Sequence, residues 1–240
     1  MFSQSAAWYD AFYRAKDYAG EAEQVTTLIR ARHPQARTLL DVGCGTGRHL
    51  EHLQAHFACA GVDLDTGLLA VAQRRLPEVP LVQADMADFD LARRFDAVTC
   101  LFSSIGYVGT VQRLHAAIGC MAKHLHPCGV LVVEPWLLPD AWIDGVSQVD
   151  VVEDDGRKLV RVATSRRAGA MTIVRMHYAA TADGEITTVD ERHELRLFTK
   201  EEYTRAFTDA GLKVTWDPEG LTGRGLLIGI HPKAEPPQPL

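Results

Sequence analysis

Asp41-Val42-Gly43-Cys44-Gly45-Thr46-Gly47 follows the apolar run Thr38-Leu39-Leu40 and precedes a helical pattern that starts at Arg48. A strand, a glycine-rich loop and a helix in direct succession open a doubly wound α/β domain. Working outward, the pattern predicts strands at 38–42, 60–64, 80–83, 95–102 and 129–134, with helices at 48–56, 66–75 and 111–124. Continuous Val, Ile and Leu runs suit strands buried on both faces, as in a parallel sheet, and the helices between them supply the crossovers.

After Pro135 the texture changes. Strands are predicted at 149–152, 158–165, 171–179 and 187–197. The polar turns between them, Asp154-Asp155-Gly156, Ala168-Gly169 and Ala182-Asp183-Gly184, suit hairpins. A helix at 200–210 and strands near 212–216 and 225–230 return to the main sheet. The expected fold is therefore α/β, a Rossmann-like doubly wound, mostly parallel sheet with an antiparallel β add-on covering the active site. In domain terms, 1–136 forms an aromatic N-terminal lid and the ligand-binding core, and 137–198 the covering insertion. Residues 199–232 form the last part of the core sheet, and 233–240 a disordered tail with three prolines. The stretch Trp8-Tyr9-Asp10-Ala11-Phe12-Tyr13 suits either core packing or a lid over a ligand.

With 31 acidic against 25 basic residues in 240, the formal charge of −6 disfavours a nucleic-acid groove. The hydrophobic fraction of 47% is ample for a buried core. Five cysteines without a C-x-x-C pair, no signal-peptide pattern and no long apolar stretch point to a reduced, cytoplasmic enzyme. His49, His52 and His56 share a helix face at a spacing that imitates a metal site. No cysteine or acid cluster accompanies them beyond Glu51, so no metal is expected.

The glycines let the chain turn sharply and a ligand approach without Cβ interference. Donors at the start of the next helix favour a negative group such as a carboxylate. The dinucleotide fingerprint is G-x-G-x-x-G, whereas here G-x-G-x-G runs into Arg48, and Asp41 stands two residues before Gly43. That spacing fits S-adenosyl-L-methionine better than NAD. Asp63, closing the second strand, suits both ribose hydroxyls. Asp85 and Met86, at the end of the third, suit an adenine ring, with Asp85 accepting from its exocyclic amine; Asp85 also suits a helix N-cap.

Together with Asp41–Gly47, Asp63 and Asp85-Met86, several further segments carry a family likeness: Tyr9-Asp10, Lys16-Asp17-Tyr18, Phe102-Ser103-Ser104-Ile105-Gly106-Tyr107, Glu134-Pro135-Trp136 and Gly223-Arg224-Gly225-Leu226. Over 9–230 the chain resembles the class I S-adenosyl-L-methionine-dependent methyltransferases. Within them it is similar to the N,N-dimethyltransferases of dTDP-linked 3-amino-3,6-dideoxyhexoses in the desosamine and mycaminose pathways of natural-product biosynthesis. It departs from them at Leu137, where a second tryptophan is usual, and at Tyr107, where some members have histidine.

The resemblance implies in-line transfer of methyl groups from S-adenosyl-L-methionine to the amine of a dTDP-linked aminosugar. Tyr9 and Tyr18 would close over the cofactor with Phe102 beside it. Ser103, Ser104 and Tyr107 would face the reacting centre, Trp136 would border the substrate and Arg224 would hold the nucleotide's phosphates, a role suited to a planar fork. Position is the main contribution expected of the protein: holding the reacting atoms about 3–3.5 Å apart in line can supply roughly 7–11 kcal/mol. The amine must be neutral before attack, and Tyr107 is the first candidate to accept a hydrogen bond from it. Glu134 is the second; its alternative is to bond backbone donors. The partners expected are this small molecule and a second copy of the chain as a homodimer, with no nucleic acid and no membrane. The alternatives are methylation of another small-molecule amine or hydroxyl and, more distantly, a non-catalytic module that binds S-adenosyl-L-methionine.

Overall fold

The computed structural model describes residues 5–182 and 184–233. Its centre is β1 (Thr38–Val42), with β2 (Ala58–Asp63) parallel on one side and β4 (Phe95–Cys100) parallel on the other. β3 (Leu81–Gln83) extends the sheet beyond β2, and β5 (Leu125–Val133) extends it beyond β4. β11 (Leu226–Ile230) pairs antiparallel with β5, and β10 (Lys213–Asp217) antiparallel with β11, which gives the order β10-β11-β5-β4-β1-β2-β3. Because β1 has β2 on one flank and β4 on the other, successive crossovers diverge here. The crevice beyond the C-terminal ends of β1 and β4 is the switch point where ligands of such sheets bind.

Alternation along β1 shows why the apolar runs are continuous. Leu40 and Val42 enter one core with α5 (Val111–Lys123) and α6 (Lys200–Asp209), while Leu39 enters a second on the opposite face. α5 buries Leu114, Ala117, Ile118, Met121 and Ala122 at helical spacing, and Thr110 caps it by accepting from Arg113 N. α4 (Thr66–Arg75) has the predicted bounds, but α3 (Arg48–Leu53) stops three residues short of the expected end.

The pattern missed α2 (Tyr18–Arg32). Gly20 and the Thr26-Thr27 pair blur its periodicity, yet Ala22, Val25 and Ile29 seat it in the second core. Ahead of it lies α1 (Ala6–Phe12), which carries the aromatic stretch into a seam between the two sheets. Trp8 and Phe12 pack on Tyr178, and Asp10 accepts from Thr46 Oγ1 at 2.7 Å while it pairs with Arg75.

The second sheet is the meander β6 (Ser147–Asp154), β7 (Arg157–Ala168), β8 (Met171–Ala182) and β9 (Glu185–Arg196), antiparallel throughout. Asp155 and Gly156 both have positive φ between β6 and β7, the backbone of the tightest hairpin turn. Of the predicted Ala182-Asp183-Gly184 turn, position 183 lies outside the described residues, as does 234–240 of the expected tail. Among the described residues no helix is long and apolar enough to cross a membrane.

Candidate active site

The floor of the crevice is the loop after β1. Gly43 N and Cys44 N both donate to Val62 O, at 2.7 and 3.0 Å, which ties the loop to β2. At Gly45, with φ +55°, an added Cβ would meet nothing within 4 Å, so the backbone faces open space. At Gly43 it would come 2.7 Å from Ser104 Cβ, so this glycine serves packing against the opposite wall.

Asp63 braces this loop from the end of β2. Its Oδ2 accepts from Gly45 N and its Oδ1 from Asp65 N, both at 2.8 Å. Burial raises its carboxyl above the ordinary value. Asp41 is buried more deeply and accepts from Thr99 Oγ1 at 2.7 Å. Burial pushes its carboxyl up to about 6 from 3.8. A folded state that binds this proton more tightly than the unfolded chain gains most from it below about pH 3.8 and loses that gain as pH rises through about 6. Between those limits the ligand-free protein is expected to lose about 3 kcal/mol. Denaturant melts of Asp41→Asn should lack that slope; equal slopes in the two proteins would contradict the assignment.

Asp85 has different company. Desolvation raises its carboxyl, but Ala87 N and the Arg113 guanidinium, at 2.7 and 2.9 Å, bring it below the usual range.

The opposite wall begins after β4, in the 3₁₀ turn Ser104–Val108 and the residues before it. Phe102 and Ser103 both take positive φ, +51° and +66°. Such a pair costs about 1–3 kcal/mol per residue unless its surroundings hold it. Glu134 does so. Fully buried after β5, it accepts Phe102 N at 2.7 Å with Oε2 and the Thr222 hydroxyl at 2.5 Å with Oε1. Of the two roles open to Glu134, its bonds are those of the second: both oxygens hold the wall in shape, one of them on a backbone donor, and it is not among the residues that line the cavity.

The other residues given a cofactor, substrate or catalytic role from the sequence, Gly47 also excepted, line one cavity of about 610 Å³. Gly47 instead packs toward α4, where an added Cβ would lie 2.9 Å from Leu76 Cδ1. Ser103 Oγ donates to Pro135 O at 3.0 Å and accepts from Arg224 Nη1 at 2.7 Å; Ser104 Oγ donates to Gly43 O at 3.2 Å. The Arg224 guanidinium lies over Trp136 and Phe102, 5.3 and 5.7 Å from the ring centres, and has no acidic partner among the described residues. Tyr9 packs on Tyr13 at 4.7 Å, and Tyr13 meets Phe102 edge-on at 5.2 Å. Tyr18 sits edge-on to His49.

Sequence reasoning gave no site role to several polar lining residues, among them Arg48, Arg161 and His193. For His193 a signal existed, since Glu191, His193 and Leu195 alternate along β9 with the inward period of two. The histidines do not share one helix face, since α3 ends at Leu53 and His56 lies beyond it. His49 Nε2 meets Glu21 at 2.8 Å, and His56 Nε2 meets Glu23 at 2.7 Å, both carboxylates on α2.

A family described as a methyltransferase domain matches residues 39–129. The dTDP-3-amino-3,4,6-trideoxy-alpha-D-glucopyranose N,N-dimethyltransferase of Streptomyces venezuelae is 46% identical over 92% of this chain and 95% of its own. Among solved structures, Streptomyces venezuelae DesVI superposes with a TM-score of 0.90 at 45% identity, covering 95% of this chain and 98% of that one. The S-adenosyl-L-methionine-bound amino pentose methyltransferase CalS10 of Micromonospora echinaspora gives 0.84 at 41% identity, covering 96% and 98%.

Proposed function

We propose, because this chain belongs to the dTDP-aminosugar N,N-dimethyltransferase family, that it transfers methyl groups from S-adenosyl-L-methionine to the amine of a dTDP-linked deoxy-aminosugar. The observation that carries the acceptor is Arg224, a fork of donors at the cavity wall with Ser103 on one nitrogen and no carboxylate among the described residues to neutralise it. A diphosphate matches that fork bidentately.

The residues of the crevice fit S-adenosyl-L-methionine. Gly45 leaves room for close backbone approach, and Asp63 keeps lone pairs beyond the two backbone bonds it accepts. Arg48 Nε is buried at the cavity without a hydrogen-bond partner among the described residues, a donor awaiting a carboxylate. When bound, this cofactor supplies a methyl group already activated on a sulfonium. The chain's own contribution is therefore placement. Tyr9, Tyr13 and Phe102 present aromatic faces that tolerate positive charge and exclude water, an effect of about 0.5–2 kcal/mol. Tyr107 presents its hydroxyl to the cavity as acceptor for the amine. Ser103, held by Pro135 and Arg224, ties the phosphate grip to the wall beside it.

Thermal melting with S-adenosyl-L-methionine, NAD and dTDP in parallel tests the reading, since a ligand of the native state raises the melting temperature. Stabilisation by the first and third is expected. Mass spectrometry of dTDP-aminosugars incubated with enzyme and cofactor should then show added methyl groups. Stabilisation by NAD alone would remove the reading, and no shift with dTDP would move the acceptor to another small-molecule amine or hydroxyl.

The reading extends to a cytoplasmic enzyme of natural-product biosynthesis, supported by five free cysteines. It extends also to a homodimer, supported by the exposed Val149, Val151 and Ile186 on the second sheet. A monomer mass in light scattering at micromolar concentration would remove the dimer.

A further inference from the structure

We propose that His193 and Glu191, acting through Tyr107, form the proton-accepting relay that neutralises the substrate's ammonium before each methyl transfer. The inference rests on the acceptor reading above and adds to it the destination of the proton. Tyr107 Oη lies 3.1 Å from His193 Nδ1, and the two rings meet edge-on at 75°. His193 Nε2 lies 3.3 Å from Glu191 Oε2, and the other oxygen, Oε1, accepts Ser5 N at 3.1 Å. All three side chains sit at the meeting of the 3₁₀ turn, β9 and the start of α1. His193 is 2% exposed and Glu191 8%.

The network sets the tautomer. An ionised carboxylate only accepts, so Nε2 carries the hydrogen that points at Glu191. Nδ1 is then bare and accepts the Tyr107 hydroxyl. With its hydrogen directed at His193, Tyr107 offers the cavity only lone pairs, and these suit an ammonium N–H. Around the trio stand Tyr9 and Tyr13 of the N-terminal segment, Tyr178 of β8, Arg161 of β7 and Asp63 of β2. Burial holds the Tyr9 and Tyr107 hydroxyls far above the ordinary range and pushes Tyr178 up to about 12. A Tyr107 phenolate is therefore disfavoured, and the proton moves onward in concert.

One substrate N–H bond breaks as its proton passes to Tyr107 Oη. The Tyr107 O–H bond breaks as that proton joins Nδ1, and the electron pair left on the amine becomes the nucleophile. His193 is left as an imidazolium beside the Glu191 carboxylate. The proton returns through Tyr107 to water that enters as product leaves. Methyl transfer produces a protonated, singly methylated amine, so a second transfer needs the relay again.

Single-turnover methylation of a dTDP-aminosugar tests this at about pH 6 and about pH 9.5, either side of an amine whose pKa is near 8. His193→Gln keeps an acceptor and a donor but cannot carry a proton. It should lose about 100-fold at the lower pH and recover to within about 5-fold at the higher, where the amine arrives neutral. Glu191→Gln and Tyr107→Phe should narrow their deficits in the same direction, with cofactor affinity unchanged within about 3-fold. A deficit equal at both pH values, or none at either, overturns the relay while the acceptor reading stands. A wild type inactive on every such sugar removes the acceptor reading and the relay with it. Nitrogen NMR of histidine-labelled wild type gives a readout without turnover: bare Nδ1 and protonated Nε2 are expected at His193, and the reverse overturns the proposal.

Discussion

Asp63→Ala should weaken binding of S-adenosyl-L-methionine by about 100-fold or more and lower the melting temperature of the ligand-free protein by about 5–20 °C. The stability loss comes from two N–H groups, Gly45 and Asp65, that lose their acceptor at a residue only 8% exposed. Each costs about 1–3 kcal/mol when left unsatisfied. The affinity loss has two sources. The loop relaxes from the shape in which Gly45 faces the cavity, and the carboxylate no longer accepts the ribose hydroxyls, each such bond to a charged group contributing about 1.5–3 kcal/mol. Asp63→Asn sharpens the test, because an amide nitrogen would face one of the two N–H groups donor to donor. Calorimetric titration and thermal melting of both variants decide it. An Asn variant that matches wild type in both would take the carboxylate out of both roles.

The Arg224→Ala enzyme is expected to show a KM for the dTDP-aminosugar raised about 100- to 1,000-fold, with cofactor affinity changed less than about 3-fold. Its guanidinium already donates to Ser103 at 2.7 Å and stacks between Trp136 and Phe102, so its fork is oriented before substrate arrives. Little side-chain entropy remains to be lost on binding, which is where such a residue gains over a flexible lysine. Arg224→Lys keeps the charge but not the planar fork, and should fall between Ala and wild type. Steady-state kinetics with the nucleotide sugar, beside titration with free dTDP, separate the outcomes. If Ala lowers kcat with KM untouched, the arginine does not hold the phosphates.

The two residues differ in how far their local sequence places them. Asp63 was legible because its place is local: the last residue of a strand that follows a glycine loop. Arg224 was legible only through resemblance, since nothing in Gly223-Arg224-Gly225 by itself points to a phosphate. Asp85 was legible as a strand-end acid, but its ion pair with Arg113 joins residues from β3's end and α5, which no local pattern connects. Glu134 stayed open between two roles for the same reason. Its position at a strand end suggests a site residue, and its partners Phe102 and Thr222 turn it into a support.

The parallel core, the glycine loop and the four-stranded meander are legible in the order of residues alone. Those follow from the period of apolar residues and from turn chemistry, and both are settled within a few residues of chain. Which side chains share the cavity depends on contacts between distant parts of the chain. Tyr107 and His193 stand 86 positions apart, and their contact exists because the second sheet folds back over the 3₁₀ turn. Long-range packing sets the donors and acceptors around a polar group, and that company decides whether a carboxylate holds a wall, meets a ligand or receives a proton.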